Sequence, residues 1–117
     1  MPTAKELAAE LLAVDPPGPP TRLFVRAWKR EVFLVDPTAD IRDEWDIFRQ
    51  DHRGRPASWR AKLASLLLCD ADGHRLYTAA DVPALGKLRH AGLHEIFEAG
   101  AKLLDTTDAD VEEAAKN

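Results

Sequence analysis

Four of the chain's eight prolines fall inside six consecutive residues, Asp15-Pro16-Pro17-Gly18-Pro19-Pro20. Proline fixes φ and has no amide hydrogen, so neither a helix nor a central strand can run through this stretch. An extended, semi-rigid spacer is the conformation left to it. The spacer divides one expected domain, residues 1–117, into a helical arm (1–14), the spacer itself (15–20) and a body (21–117). A chain of 117 residues can bury one modest core.

In the arm, Thr3 and Glu6 have capping-box spacing, and Leu7, Leu11 and Val14 then share one helical stripe with Lys5 and Glu10 outside it. A helix this short is marginal in water by itself, because nucleation costs several ordered residues before the first hydrogen bond repays them. Its stripe therefore has to dock on something, with the arm either carried away from the body or folded back on it across the stiff spacer. Leu7, Leu11 and Val14 are candidate protein-interaction residues.

From Thr21 the pattern turns to strand. Leu23-Phe24-Val25 and Val32-Phe33-Leu34-Val35 predict a hairpin around Ala27-Trp28-Lys29-Arg30. Both faces of the pair are apolar, so helices or another subunit should cover them. Asp36-Pro37 reads as a helix cap followed by proline in the first turn, and Ile41, Trp45 and Phe48 recur at i, i+4, i+7 to about Asp51. A third helix is expected from about Ser58, with Trp59, Leu63, Leu66 and Leu67 on one face and Lys62 and Ser65 opposite. It should stop at the turn Asp70-Ala71-Asp72-Gly73. Thr78 and Asp81 start a short helix to about Leu85. Lys87–Asp105 forms the longest, its buried stripe Leu93, Ile96, Phe97, Gly100 and Leu104, with Gly92 and Gly100 allowing close backbone approach. Thr107 to Lys116 is the last helix. The expected class is α+β, mainly α: a small N-terminal β-hairpin on a bundle of four to five helices, plus the arm.

With 16 basic and 20 acidic residues the net charge is -4, which disfavours a nucleic-acid partner held by phosphate neutralisation. The longest apolar run, Leu63 to Cys69, is too short to cross a bilayer, and Met1-Pro2-Thr3-Ala4-Lys5-Glu6 lacks the apolar core of a signal peptide. No membrane partner is expected. Cys69 is the sole cysteine, so a disulfide within the chain and a cysteine-based zinc site are ruled out.

Reactive constellations are few. Asp70, Asp72, Gly73 and Asp81 have some features of a calcium loop but lack its third early ligand and its closing glutamate, so a helix-ending turn is the better reading. His90 and His94 stand one helical turn apart beside Glu95, with no third ligand in evidence. Solvent-facing histidines are favoured over a metal site. Ser58 and Ser65 lie in no nucleophile elbow, and Cys69, ending an apolar run, reads as buried and inert. Arg53, Arg55, Arg60 and Lys62 could meet a polyanion, but a solvated face beside Asp40, Asp43, Glu44 and Asp46 is the simpler account. Trp28, at the hairpin tip, is a fourth candidate anchor for a partner, with core packing ahead of that for it and for Trp45 and Trp59. No catalytic residue, cofactor or metal is expected.

The segment Leu66-Leu67-Leu68-Cys69-Asp70-Ala71-Asp72-Gly73-His74-Arg75-Leu76-Tyr77-Thr78-Ala79-Ala80-Asp81-Val82 resembles the tail assembly chaperones of long-tailed phages. In that family an apolar helix end meets an Asp-x-Asp-Gly turn, then Arg, an apolar-aromatic pair, Thr and an acidic helix start. The likeness continues through Leu85-Gly86, the helix around Leu93 to Leu104 and the acidic end Val111 to Asn117, and upstream in Trp28 with the strand Val32 to Val35. It spans about residues 22–117. Family members often carry glycine after the hairpin tryptophan, where this chain has Lys29-Arg30, and the arm and spacer here are longer.

The resemblance implies a non-enzymatic, self-associating protein of the host cytoplasm, encoded by a phage or prophage. It implies binding to the tape measure protein, recruitment of tail tube protein, and absence from the finished virion. In many members a programmed frameshift adds a longer form. The alternative is a small structural virion protein, such as a tail-completion or connector subunit.

Overall fold

The computed structural model describes residues 1–54 and 57–104. Its first helix, α1 (Ala4–Leu12), starts where Thr3 Oγ1 accepts the Glu6 amide at 3.1 Å and buries none of its residues. Every residue from Met1 to Pro19 is exposed. The spacer is fastened at two points. Gly18 donates its amide to Asp36 Oδ2 at 2.7 Å, and Pro20 lies beside Gly73.

β1 (Thr21–Val25) and β2 (Arg30–Leu34) form the expected hairpin, paired antiparallel from Thr21↔Leu34 to Val25↔Arg30. Its four-residue turn closes on hydrogen bonds from Trp28 N to Val25 O (3.1 Å) and from Lys29 N to Arg26 O (3.2 Å). Lys29 takes φ +50°, a left-handed conformation that a β-carbon disfavours.

The helix cap after β2 is Thr38, whose Oγ1 accepts from Ile41 N at 3.4 Å, and not Asp36, which is committed to the spacer. Helix α2 (Ala39–Asp51) buries Ile41 and Trp45, and half-buried Phe48 stacks on Trp45. Trp45 also meets Trp59 (5.7 Å between ring centres) and Phe97 (6.4 Å), both edge to face, a geometry that suits aromatic quadrupoles.

α3 (Ala57–Leu67) corrects the sequence reading in two ways. The apolar run does not stay helical. Leu68-Cys69 leaves the helix as a third strand, β3, paired with β2 through Phe33↔Cys69 and Leu34↔Leu68, so the hairpin grows into a three-stranded sheet of order β1-β2-β3. Lys62 and Ser65 do not face solvent either, being 6 % and 1 % exposed. The helix lies at the centre with α2, α4 (Val82–Leu85) and α5 (His90–Leu103) around it, so its nominally polar side is covered too. Ser65 Oγ donates to Lys62 O at 2.6 Å, and the Lys62 ammonium reaches Glu44 at 3.1 Å while lying over the Phe48 ring. Burial here is tolerated because each polar group has a partner.

A 3₁₀ turn (Ala79–Asp81), in which Asp81 accepts the Thr78 amide at 2.7 Å, leads into α4 (Val82–Leu85). α5 (His90–Leu103) begins three residues later than the pattern indicated. The whole anticipated stripe of Leu93, Ile96, Phe97, Gly100 and Leu104 is buried. Gly100 lets Leu63 and Leu67 of α3 lie against the α5 backbone, and Gly92 does the same for Trp28. The helix anticipated at Thr107 to Lys116 lies outside the described residues. The architecture is α+β and mainly helical: a small antiparallel sheet packed on helices, with α1 standing clear.

Candidate protein-binding surface

Three apolar features stand out among the described residues. The first is the arm: on α1 Leu7, Leu11 and Leu12, which the stripe omitted, are 46 %, 61 % and 89 % exposed, and Val14, which the pattern placed on the helix, lies two residues past its end and is 72 % exposed. A helix interior to a body would hide these side chains, and burying each is worth about 1.5–3 kcal/mol. The arm of a single chain therefore leaves a substantial hydrophobic driving force unused.

The second is the outer face of the sheet. Alternation puts Leu23, Val25, Val32 and Leu34 toward the helices and Phe24, Phe33 and Cys69 on the other side. There Phe24 is 58 % exposed, while Arg22 lies over the Phe33 ring and pairs with Glu31 across the strands at 3.6 Å. Among the described residues, the helices pack on one face of the hairpin.

The third is a groove of about 530 Å³ between β2–β3 and the Leu85–Leu88 segment, lined among others by Trp28, Val32, Leu68, Tyr77, Leu85 and Leu88. Leu68 and Leu85 are buried there, and Leu88 remains 43 % exposed. Trp28 is half-buried and packs on the core through its contact at Gly92. It lines this groove instead of projecting from the hairpin tip.

The hairpin turn is held by a residue that sequence reasoning assigned no such task. Glu95 of α5 accepts from Arg26 N and Ala27 N, both at 2.9 Å, and its Oε1 lies 3.5 Å from Arg26 Nε. The two amides, Ala27's first, and the guanidinium hold the Glu95 carboxyl below the usual range. A carboxylate placed where a turn presents two free amides carries no linear signature, since the partners lie 68 and 69 residues apart.

The histidine pair is stacked at 5.0 Å between ring centres. Arg60 Nε donates to His94 Nδ1 at 3.2 Å, so the proton sits on Nε2, which reaches Glu98 Oε1 at 2.6 Å. Both ring nitrogens of His94 are engaged, and the adjacent carboxylate of Glu95 is committed to the hairpin. Only His90 faces solvent fully; His94 is half-buried.

The acidic turn is similarly self-satisfied. Asp70 Oδ1 accepts from His74 N and Asp72 N, both at 2.9 Å, and Oδ2 lies 3.3 Å from His74 Nδ1. The His74 amide above all lowers the Asp70 pKa; burial opposes it, and the Asp72 amide and the His74 side chain add to the lowering. Gly73 adopts φ +87° to close the loop. Asp70, Asp72 and His74 are the one group of three potential ligands converging within 4.8 Å among the described residues, all exposed, and their geometry is that of a turn. Asp81 is spent on Thr78. Burial, and then the Asp70 charge, push the Cys69 thiol up, away from the reactive thiolate.

The proposed basic cluster is dispersed. Arg60 is on His94, Lys62 is buried on Glu44, Arg53 is exposed, and Arg55 lies outside the described residues. Among the described residues, no helix is long and apolar enough to cross a membrane. No protein-family model, no curated protein and no solved structure matches the chain.

Proposed function

We propose that this chain is a non-enzymatic tail assembly chaperone of a long-tailed phage or prophage. It acts in the host cytoplasm, binds the tape measure protein, recruits tail tube protein and does not remain in the virion. The observation that supports the reading is the amount of large apolar side chain standing in solvent in two separate places, Leu7, Leu11, Leu12 and Val14 on the arm and Phe24 on the sheet. Scattered exposed leucines need no explanation, but an amphipathic helix with no residue buried is a feature of proteins that hold others. The titratable groups with a chemical look, Asp70, Glu95 and His94, are occupied by turns and ion pairs. The sequence resemblance over about residues 22–117 supplies the class of client.

Co-expression with the tape measure and tail tube proteins of the same phage tests it. The expected result is a several-fold rise in soluble tape measure protein and co-purification of both clients. Unchanged solubility of either client, or the chain's presence at fixed stoichiometry in purified particles, would overturn it.

A further inference from the structure

We propose that two copies of this chain exchange arms, the apolar stripe of each arm (Leu7 and Leu11 on α1, Val14 just past its end) lying in the groove between β2–β3 and the Leu85–Leu88 segment of the other. The inference goes beyond the chaperone reading and does not depend on the clients.

Three observations lead to it. The first is reach. Gly18 is pinned to Asp36 and Pro20 lies against Gly73, so the spacer leaves the body beside the Asp70–His74 turn, whose Asp70 and Ala71 line the groove. Pro16 and Pro17, with φ fixed near −65°, restrict how Ala13–Pro17 can fold α1 onto its own body. The stiff spacer holds α1 off the body, with no residue buried.

The second is area. Leu and Val side chains remove about 100 Å² of apolar surface apiece when buried, so one arm in one groove covers roughly 600 Å² counting both partners, too little for a specific complex. A reciprocal pair covers roughly 1,200 Å², the lower end of the range in which specific interfaces are stable. Exchange by two arms satisfies a requirement that one arm does not, and gives the closed two-fold arrangement common among homodimers.

The third is charge. Glu10 flanks the stripe on α1, and its carboxylate has no partner among the described residues. Of the charged residues lining the groove, Glu31 is paired with Arg22 and Asp70 is held by its own turn, which leaves Arg30 without an ion-pair partner among the described residues. The acidic flank of the arm complements the cation left over in the groove.

Sedimentation velocity on the full chain between about 1 and 100 μM decides the matter. Wild type should form a dimer. Leu11→Asp on the arm and Leu88→Asp on the groove rim should each weaken it at least tenfold. Both positions are exposed, so the variants should keep the wild-type circular dichroism spectrum. Glu10→Arg and Arg30→Glu should each weaken the dimer about threefold, and the double charge exchange should restore it. A monomeric wild type, a dimer indifferent to Leu11→Asp, or a dimer lost with Leu11→Asp but kept with Leu88→Asp would each overturn the proposal. A dimer that solubilises no tail protein would sink the chaperone reading and leave this one standing.

Discussion

Gly92 offers a sharp test of how the hairpin is seated. A methyl group at this position would overlap the Trp28 indole, with Cε2 at 2.5 Å and Cδ1 at 2.8 Å, whereas carbon atoms in comfortable contact stand about 3.5–4.0 Å apart. Two effects of Gly92→Ala oppose each other. Alanine is better than glycine inside a helix by about 1 kcal/mol, and forcing a methyl group into a packed site costs about 1–3 kcal/mol. The ring has little freedom to retreat, because its own turn is fastened to Glu95. The expected net effect is a loss of about 1 kcal/mol, up to about 2. Trp28→Ala removes the obstacle at a cost of about 2 kcal/mol for a half-buried ring. In that background Gly92→Ala should become stabilising by about 1 kcal/mol. The cycle should therefore close with a coupling of about 2–3 kcal/mol. Urea unfolding of the four proteins, with the slope unchanged, measures this directly. A stabilising Gly92→Ala in the wild-type background, or effects that simply add, would refute the contact.

Lys29→Gly should stabilise by about 0.5–1 kcal/mol, since relief of a left-handed β-carbon exceeds the extra entropy glycine loses; urea unfolding reads it. Glu95→Gln should destabilise at pH 7, and the difference from wild type should vanish in acid. A carboxyl whose folded pKa is depressed contributes above its unfolded value, about 4.3, and that contribution is lost as pH falls through the lower folded value. Unfolding curves at pH 7, 4 and 3 test the sign. Glu44→Ala strands the buried Lys62 ammonium and should cost about 1–2 kcal/mol, reduced because Glu44 itself is half-exposed. Lys62→Met keeps the stem and removes the charge, and should cost less than about 1 kcal/mol.

Local rules read well wherever one element sufficed to decide them. The proline run set the spacer, Thr3 set the start of α1, and the i, i+4, i+7 stripe in α2 and the α5 stripe of Leu93, Ile96, Phe97, Gly100 and Leu104 marked the faces that are buried. Gly92 and Gly100 stood out because glycine inside a good helix is costly unless something lies close. The misreadings around α3 share one cause, which is that the deciding partner is distant in sequence. Leu68-Cys69 continues an apolar run whose periodicity cannot separate a buried helix from a strand, and only the open edge of β2 makes it a strand. Lys62 and Ser65 looked like a solvent face because two polar residues three apart usually are one; α3 happens to be covered on every side. The candidate interaction residues divide the same way. Leu7, Leu11 and Val14 lie on the exposed arm, while Trp28 finds Gly92 more than sixty residues away in sequence.

Backbone hydrogen exchange on the full chain, alone and with purified tape measure protein of the same phage, tests the protein-holding role most directly. Protection should rise along Thr21–Val25, the sheet face that stays open when the arms are held by a second copy, while α3 stays unchanged. Identical exchange in both samples at concentrations well above micromolar would contradict a role in holding that protein.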